Sequence, residues 1–168
     1  MLAQYLIEQA WENTLKTQQP TPPWSWADTY PVAKISVPQL GIQQYILAGA
    51  NGSPLAFAPG LYAGTKDLTT ISGQEKLPDT VIAGHHNTHF DFLKQLKYGE
   101  VIYFQNMAGE NGRYQVNNIQ TFDIQQQQLP AYFTGKTIQL VTCQPSYLGE
   151  IHPNQRLVVT LVREEQLQ

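Results

Sequence analysis

The chain has 168 residues, 42% of them apolar and 14% charged, with a formal charge of −3, which describes one globular domain and not a disordered segment. The small negative charge and the lack of any Lys/Arg cluster argue against a nucleic-acid footprint, and no apolar run reaches the roughly 18–20 residues that cross a bilayer. Cys143 is the only cysteine, so an internal disulfide, a zinc ribbon and a CxxC redox pair are all excluded.

The N-terminal "MLAQYLI" is interrupted by Glu8 and lacks a charged leading region, so it does not read as a signal peptide. Leu2, Tyr5, Leu6, Gln9 and Trp11 recur at near-helical spacing with no Pro or Gly before Pro20, which predicts a short amphipathic helix within residues 1–19. "PTPPWSW" then forms a stiff Pro/Trp-rich linker over 20–29 that cannot continue a helix. From Tyr30 to the end, a third unit (30–168) changes to short strands punctuated by turns.

"VAKISV" alternates apolar and polar residues, "PQLGI" turns the chain, and "QYILAG" is the next strand. "NGSPLAFAPG" reads as a loop or one helical turn. "DTVIAG", "EVIYFQN", "RYQVNNIQTF", "KTIQLVT" and "QRLVVTLV" are rich in β-branched and aromatic residues and predict further strands. Between them only "HFDFLKQLKYG" looks helical, with Phe90, Leu93 and Leu96 on one face and Gly99 as its stop. Seven or so strands with turns between them predict an all-β domain, a closed barrel or a sandwich.

Cys143 sits where the strand "TIQLVT" gives way to "CQPS". A lone cysteine can be a small packed apolar residue, or a nucleophile if a base or cation stabilises its thiolate, because the free thiol has a pKa of about 8.5. The candidate bases are His85, His86, His89 and His152. His85 ends "TVIAG" much as Cys143 ends "TIQLVT", and side chains at corresponding ends of neighbouring strands can meet. Arg156 opens the next strand, and an antiparallel return would bring it beside Cys143 as an oxyanion donor or backbone clamp. On composition alone, both the packed-cysteine and the nucleophile reading stand.

"TVIAGHHNTHF", "LVTCQPS" and "NQRLVVTLV" resemble the three signature segments of sortases, bacterial cysteine transpeptidases that join proteins to surface anchors. The family pattern has histidine after Ala-Gly (here Ala83-Gly84-His85), cysteine after Thr (Thr142-Cys143) and an arginine heading the last strand (Arg156). "FDFLKQLKYGEVIYF" and "PVAKISVPQLGIQQYILAG" are similar to the family's helix with its following strand and to its opening strands. The "PPWSWADTYPVAKI" entry resembles proteobacterial members. The likeness spans about residues 30–163. It implies a closed β-barrel of about eight strands with short helices, and it makes 30–168 the catalytic domain.

The resemblance also implies a mechanism. Cys143 attacks a threonyl-type carbonyl in an LPXTG-like sorting signal of a secreted protein, His85 moves the protons, and Arg156 steadies the oxyanion or the signal's backbone. An amine of the cell envelope then takes the acyl group, and no cofactor or metal is called for. The groove for the signal would be lined by Leu129, Pro130 and Tyr132 of "FDIQQQQLPAYFTG", with Thr142 and His86 as further contacts. The first helix would be the membrane-proximal remainder of an anchor that this sequence does not contain, with the enzyme on the extracytoplasmic face of the membrane.

Two departures from the pattern stand out. His86 occupies a position that is often Arg in relatives, and with His89 it makes an HHxxH run. A membrane segment, general among sortases, is not seen. Two other classes compete with the transpeptidase: a metal-dependent hydrolase using His85, His86, His89 and Asp91, which leaves Cys143 and Arg156 unexplained, and a non-catalytic surface-binding barrel with an inert cysteine.

Overall fold

The computed structural model describes residues 1–50, 53–68, 77–145 and 151–165. Its strands are β1 (Pro31–Val37), β2 (Ile42–Leu47), β3 (Gly60–Leu61), β4 (Thr80–Ala83), β5 (Val101–Asn106), β6 (Asn111–Asp123), β7 (Thr137–Pro145) and β8 (Ile151–Arg163). They close into a barrel in the order β1-β2-β3-β4-β7-β8-β6-β5.

Most neighbours are antiparallel, but β2 and β3 run parallel at Leu47 and Gly60, and so do β4 and β7, with Thr80 opposite Ile138 and Ala83 opposite Val141. The connection between β4 and β7 carries β5 and β6, as a parallel pair requires a long crossover. One face of each strand fills the barrel. Ile35, Ile46, Ile82, Ile102, Leu140, Val159 and Leu161 are fully buried there, each worth about 1.5–3 kcal/mol relative to exposure.

The turn expected at "PQLGI" is a short 3₁₀ segment, Pro38–Leu40. It ends at Gly41, whose φ of 63° suits glycine. The stretch around "HFDFLKQLKYG" also differs in type from an α-helix. It is a 3₁₀ segment, Asp91–Gln95, and Phe90, Leu93 and Leu96 are all buried beside it. Their spacing of three is the 3₁₀ repeat, so the expected face exists in the tighter helix.

Helix α1 (Leu2–Thr17) buries Ile7, Ala10, Trp11 and Thr14. That stripe has i, i+3, i+4, i+7 spacing, and it corrects the expected face, because Leu2 and Tyr5 stand exposed. Large residues at the helix start outweighed the better-spaced Ile7 stripe in the sequence pattern. Trp11 packs on Tyr45 of β2 at 6.3 Å between ring centroids, and Ile7 packs with Leu47 and Ala58. In the linker, Trp24 meets Phe57 of helix α2 (Ser53–Phe57) edge-on at 5.2 Å. No helix among the described residues is long and apolar enough to cross a membrane.

Candidate active site

Strand β7 continues past the expected break. It includes Cys143 and ends at Pro145, with a register shift between them, because a proline enters a ladder only where the pairing is already broken. Cys143 is placed by its backbone, directly opposite Arg156 of β8. Its side chain and that of His152 lie outside the described residues. Arg156 does not open its strand; β8 begins at Ile151, so the arginine sits within the ladder with a neighbour on each side.

His85 reaches the same end of the barrel by a different route. The pairing of β4 with β7 outlasts the strand: the Gly84 N–H donates to Val141 O at 3.1 Å, and Thr142 Oγ1 donates to Gly84 O at 2.7 Å. Continued by one residue, the register brings His85 level with Cys143. Thr142 is therefore a buried tie between the two segments. The His85 carbonyl accepts from Phe90 N at 3.0 Å, which closes the turn that follows. Gly84 is needed for this geometry, since a Cβ there would lie 2.7 Å from Cγ of the buried Phe90 ring.

Ile138 and Leu140 of β7, Leu157 and Val159 of β8 and Ile82 of β4 point into the barrel. Val141, Val158 and Phe122 form a separate cluster with Val81 and Leu129, and strand alternation places that cluster outside. Arg156 falls on the outer side, two positions from Val158. Arg156 Nη1 donates to Pro153 O at 2.9 Å and to Gln155 O at 3.0 Å, which aims the guanidinium.

Over this outer face runs the segment 124–136. It leaves β6 at the Arg156 end, where Ile124 N donates to Asn154 O. It rejoins the sheet at the opposite end, at Thr137. On the way Leu129 rests on the outer cluster. Pro130 and Tyr132 are half-buried, and Tyr132 O accepts from Asp79 N at 2.6 Å. The segment is a wall along one side of the site.

His86 and His89 are half-buried. His89 has its pKa lowered from 6.5, first by burial and then by the charge of His85. Gln44 Nε2 holds the His89 carbonyl at 2.7 Å, a contact with no local sequence signal. Asp91 pairs with Lys94. Among the described residues no three His, Cys, Asp or Glu side chains are grouped to hold a metal, so His85, His86, His89 and Asp91 do not assemble the ligand set of a metal hydrolase.

The backbone register sets the Cys143 position opposite Arg156 across one strand pair and level with His85 on the continued line of another, in a closed all-β barrel. The Sortase domain family model matches residues 35–164, and the chain belongs to the sortase family of cysteine transpeptidases. No curated protein matches at a significant level. Solved structures do. A lid mutant of sortase A from Corynebacterium diphtheriae is 22% identical with a TM-score of 0.67, the match covering 98% of this chain and 95% of that one. Sortase C-1 from Actinomyces oris is 24% identical with a TM-score of 0.62, covering 98% of each chain. Sortase C1 from Streptococcus agalactiae, in complex with MTSET, is 22% identical with a TM-score of 0.64, covering 82% of this chain and 69% of that one. At these identities the likeness is one of fold.

Proposed function

We propose that this sortase-family chain cleaves a C-terminal, LPXTG-like sorting signal on a secreted protein and transfers the acyl part to an amine of the cell envelope. Cys143 is the nucleophile: its thiolate adds to the carbonyl carbon of a threonyl-type residue, and the amine leaves as a thioacyl enzyme forms. His85 gives its proton to that departing amine, then takes one from the incoming amine that resolves the thioester. Arg156 donates to the carbonyl oxygen as negative charge develops on it, or clamps the signal's backbone. Leu129, Pro130 and Tyr132 line the groove, with His86 at its end; Thr142, buried and bonded to Gly84 O, supports the site from within and does not touch the peptide.

The observation that carries this reading is the double register. Parallel pairing of β4 with β7, carried on by the Gly84 N–H bond to Val141 O, and antiparallel pairing of β7 with β8 put the backbone positions of His85, Cys143 and Arg156 at one end of the sheet, which supports this reading. Residues 30–168 form the catalytic domain in this reading, with 1–19 leading from a membrane anchor through the 20–29 linker. The enzyme then works on the extracytoplasmic face of a bacterial membrane.

The test is to incubate the protein with a library of sorting-signal peptides and weigh it intact. A thioacyl adduct should appear on Cys143 and disappear on addition of an amine. Cys143→Ala should fold and form none, because the swap removes little more than the nucleophilic sulfur. Turnover surviving in that variant would end the proposal.

A further inference from the structure

Asp79 precedes β4 and is only 4% exposed, an unusual place for a carboxylate without a dedicated set of donors. Its donors come chiefly from the far end of the 124–136 segment. Thr134 gives its N–H at 3.0 Å and its hydroxyl at 2.8 Å to Oδ2. The Gly135 N–H lies 2.9 Å from Oδ1 and 3.0 Å from Oδ2. Gly135 adopts a φ of 73°, a left-handed conformation that turns its N–H toward the carboxylate and that other residues adopt at a cost. Lys66 Nζ sits 3.5 Å from Oδ1, and Thr80 Oγ1 donates to Lys66 O at 2.7 Å, so the segment after β3 joins the same knot.

The wall therefore has two roots. One is at the Arg156 end, where Ile124 N meets Asn154 O. The other is this carboxylate, beside the bond from Arg163 N to Lys136 O at 2.8 Å, roughly 20 Å away along the strands at about 3.3 Å per residue. Beyond the turn in which the Gln125, Gln126 and Gln127 N–H groups donate to Asp123, the Leu129 packing and the Tyr132 carbonyl bond to Asp79 N hold the wall against the sheet. The geometry points to Asp79 as a positioning residue: by clamping Thr134 and Gly135 it sets how close Leu129, Pro130 and Tyr132 stand to the outer face, and thereby the fit of the peptide. This role rests on the transfer reading proposed above.

Removing the charge should loosen the wall without unfolding the barrel. Thr134 and Gly135 are exposed, so water can replace the lost acceptor at the loop, and no ladder bond of the barrel uses the carboxylate. The chemistry at Cys143, at the other end of the sheet, should be spared.

The experiment compares wild type, Asp79→Asn and Thr134→Val by hydrogen exchange and by peptide-transfer kinetics. In Asp79→Asn, exchange over 124–136 should quicken while β7 and β8 keep their protection. KM for the peptide should rise by about tenfold or more with kcat within about threefold, the pattern of lost binding and not of lost chemistry. Thr134→Val, which keeps the carboxylate and both backbone N–H donors, should move both readouts the same way and less, and it decides the matter if Asp79→Asn fails to fold. Unchanged exchange over 124–136 overturns the clamp, and quickened exchange with an unchanged KM overturns the positioning role. A wild type that forms no thioacyl adduct fails the transfer reading itself, while the exchange comparison still judges the clamp.

Discussion

Arg156 and His89 show how one residue's surroundings decide what it can do. Arg156 Nη1 already donates to Pro153 O and Gln155 O. A planar guanidinium keeps those bonds and still presents other N–H groups to a substrate oxygen, whereas a lysine ammonium on a flexible stem cannot satisfy both at once. Arg156→Lys should therefore lower kcat/KM in peptide transfer by roughly 10²–10³-fold, as losses of oxyanion donors do, with little change in the melt. A near-normal rate would mean that a diffuse positive charge suffices. At His89 burial and the charge of His85 both lower the pKa, so the unfolded chain binds the proton more readily than the native one. Stability is then complete above the unfolded value of 6.5 and falls as the pH drops below it toward the lowered native value. In thermal melts across that window, His89→Gln should flatten the slope relative to wild type. An identical slope in the two proteins would show that His89 is equally basic in both states.

At the scale of elements, the site depends on how β4 hands over to the 3₁₀ segment. Gly84 carries the last bonds to β7 and touches the Phe90 ring, and Phe90 N closes back on His85. Gly84→Ala would drive its Cβ into a ring that is 1% exposed and stacked edge-on with Phe92 at 5.8 Å. The cost should be about 1–3 kcal/mol, the usual range for overpacking, together with loss of transfer activity as the turn carrying His85 shifts. An unchanged melt and rate would show that Phe90 yields freely. The longer strands were legible because one face of each fills the barrel, and "KISV" or "RYQV" alternates accordingly. Three features were not legible. Gly60–Leu61 is too short to show any period. The first residues of β8 contain Pro153 and no alternation, which hid the strand's true start and made Arg156 look terminal. The route of the 124–136 wall depends on Asp79, a residue 55 positions away from Thr134, and contacts of that range leave no local pattern.

Over the whole molecule, the question is whether α1 and the barrel fold as one unit. The helix is docked through Ile7, Ala10 and Trp11, all nearly or fully buried, and pinned at both ends: Gln4 Nε2 donates to Phe57 O at 2.6 Å, and Gln18 Nε2 to Met107 O at 3.3 Å. A helix of this length is marginal alone in water, so its stability comes from the packed face. Trp11 is the largest side chain of that face and stands against Tyr45. Trp11→Ala should cost about 3–5 kcal/mol, as large aromatic deletions do, and lower a single cooperative Tm by roughly 6–20 °C for a chain of this size. Trp11→Phe should cost far less. It keeps a ring against Tyr45 and removes an indole N–H that is buried with no partner among the described residues, so part of the lost packing is offset by relief of an unmade hydrogen bond. Melts followed by far-ultraviolet circular dichroism and by tryptophan fluorescence should coincide in all three proteins. Two separate transitions, with the barrel's unmoved in Trp11→Ala, would show that α1 is an independent appendage and that its docking does nothing for the domain that carries the site.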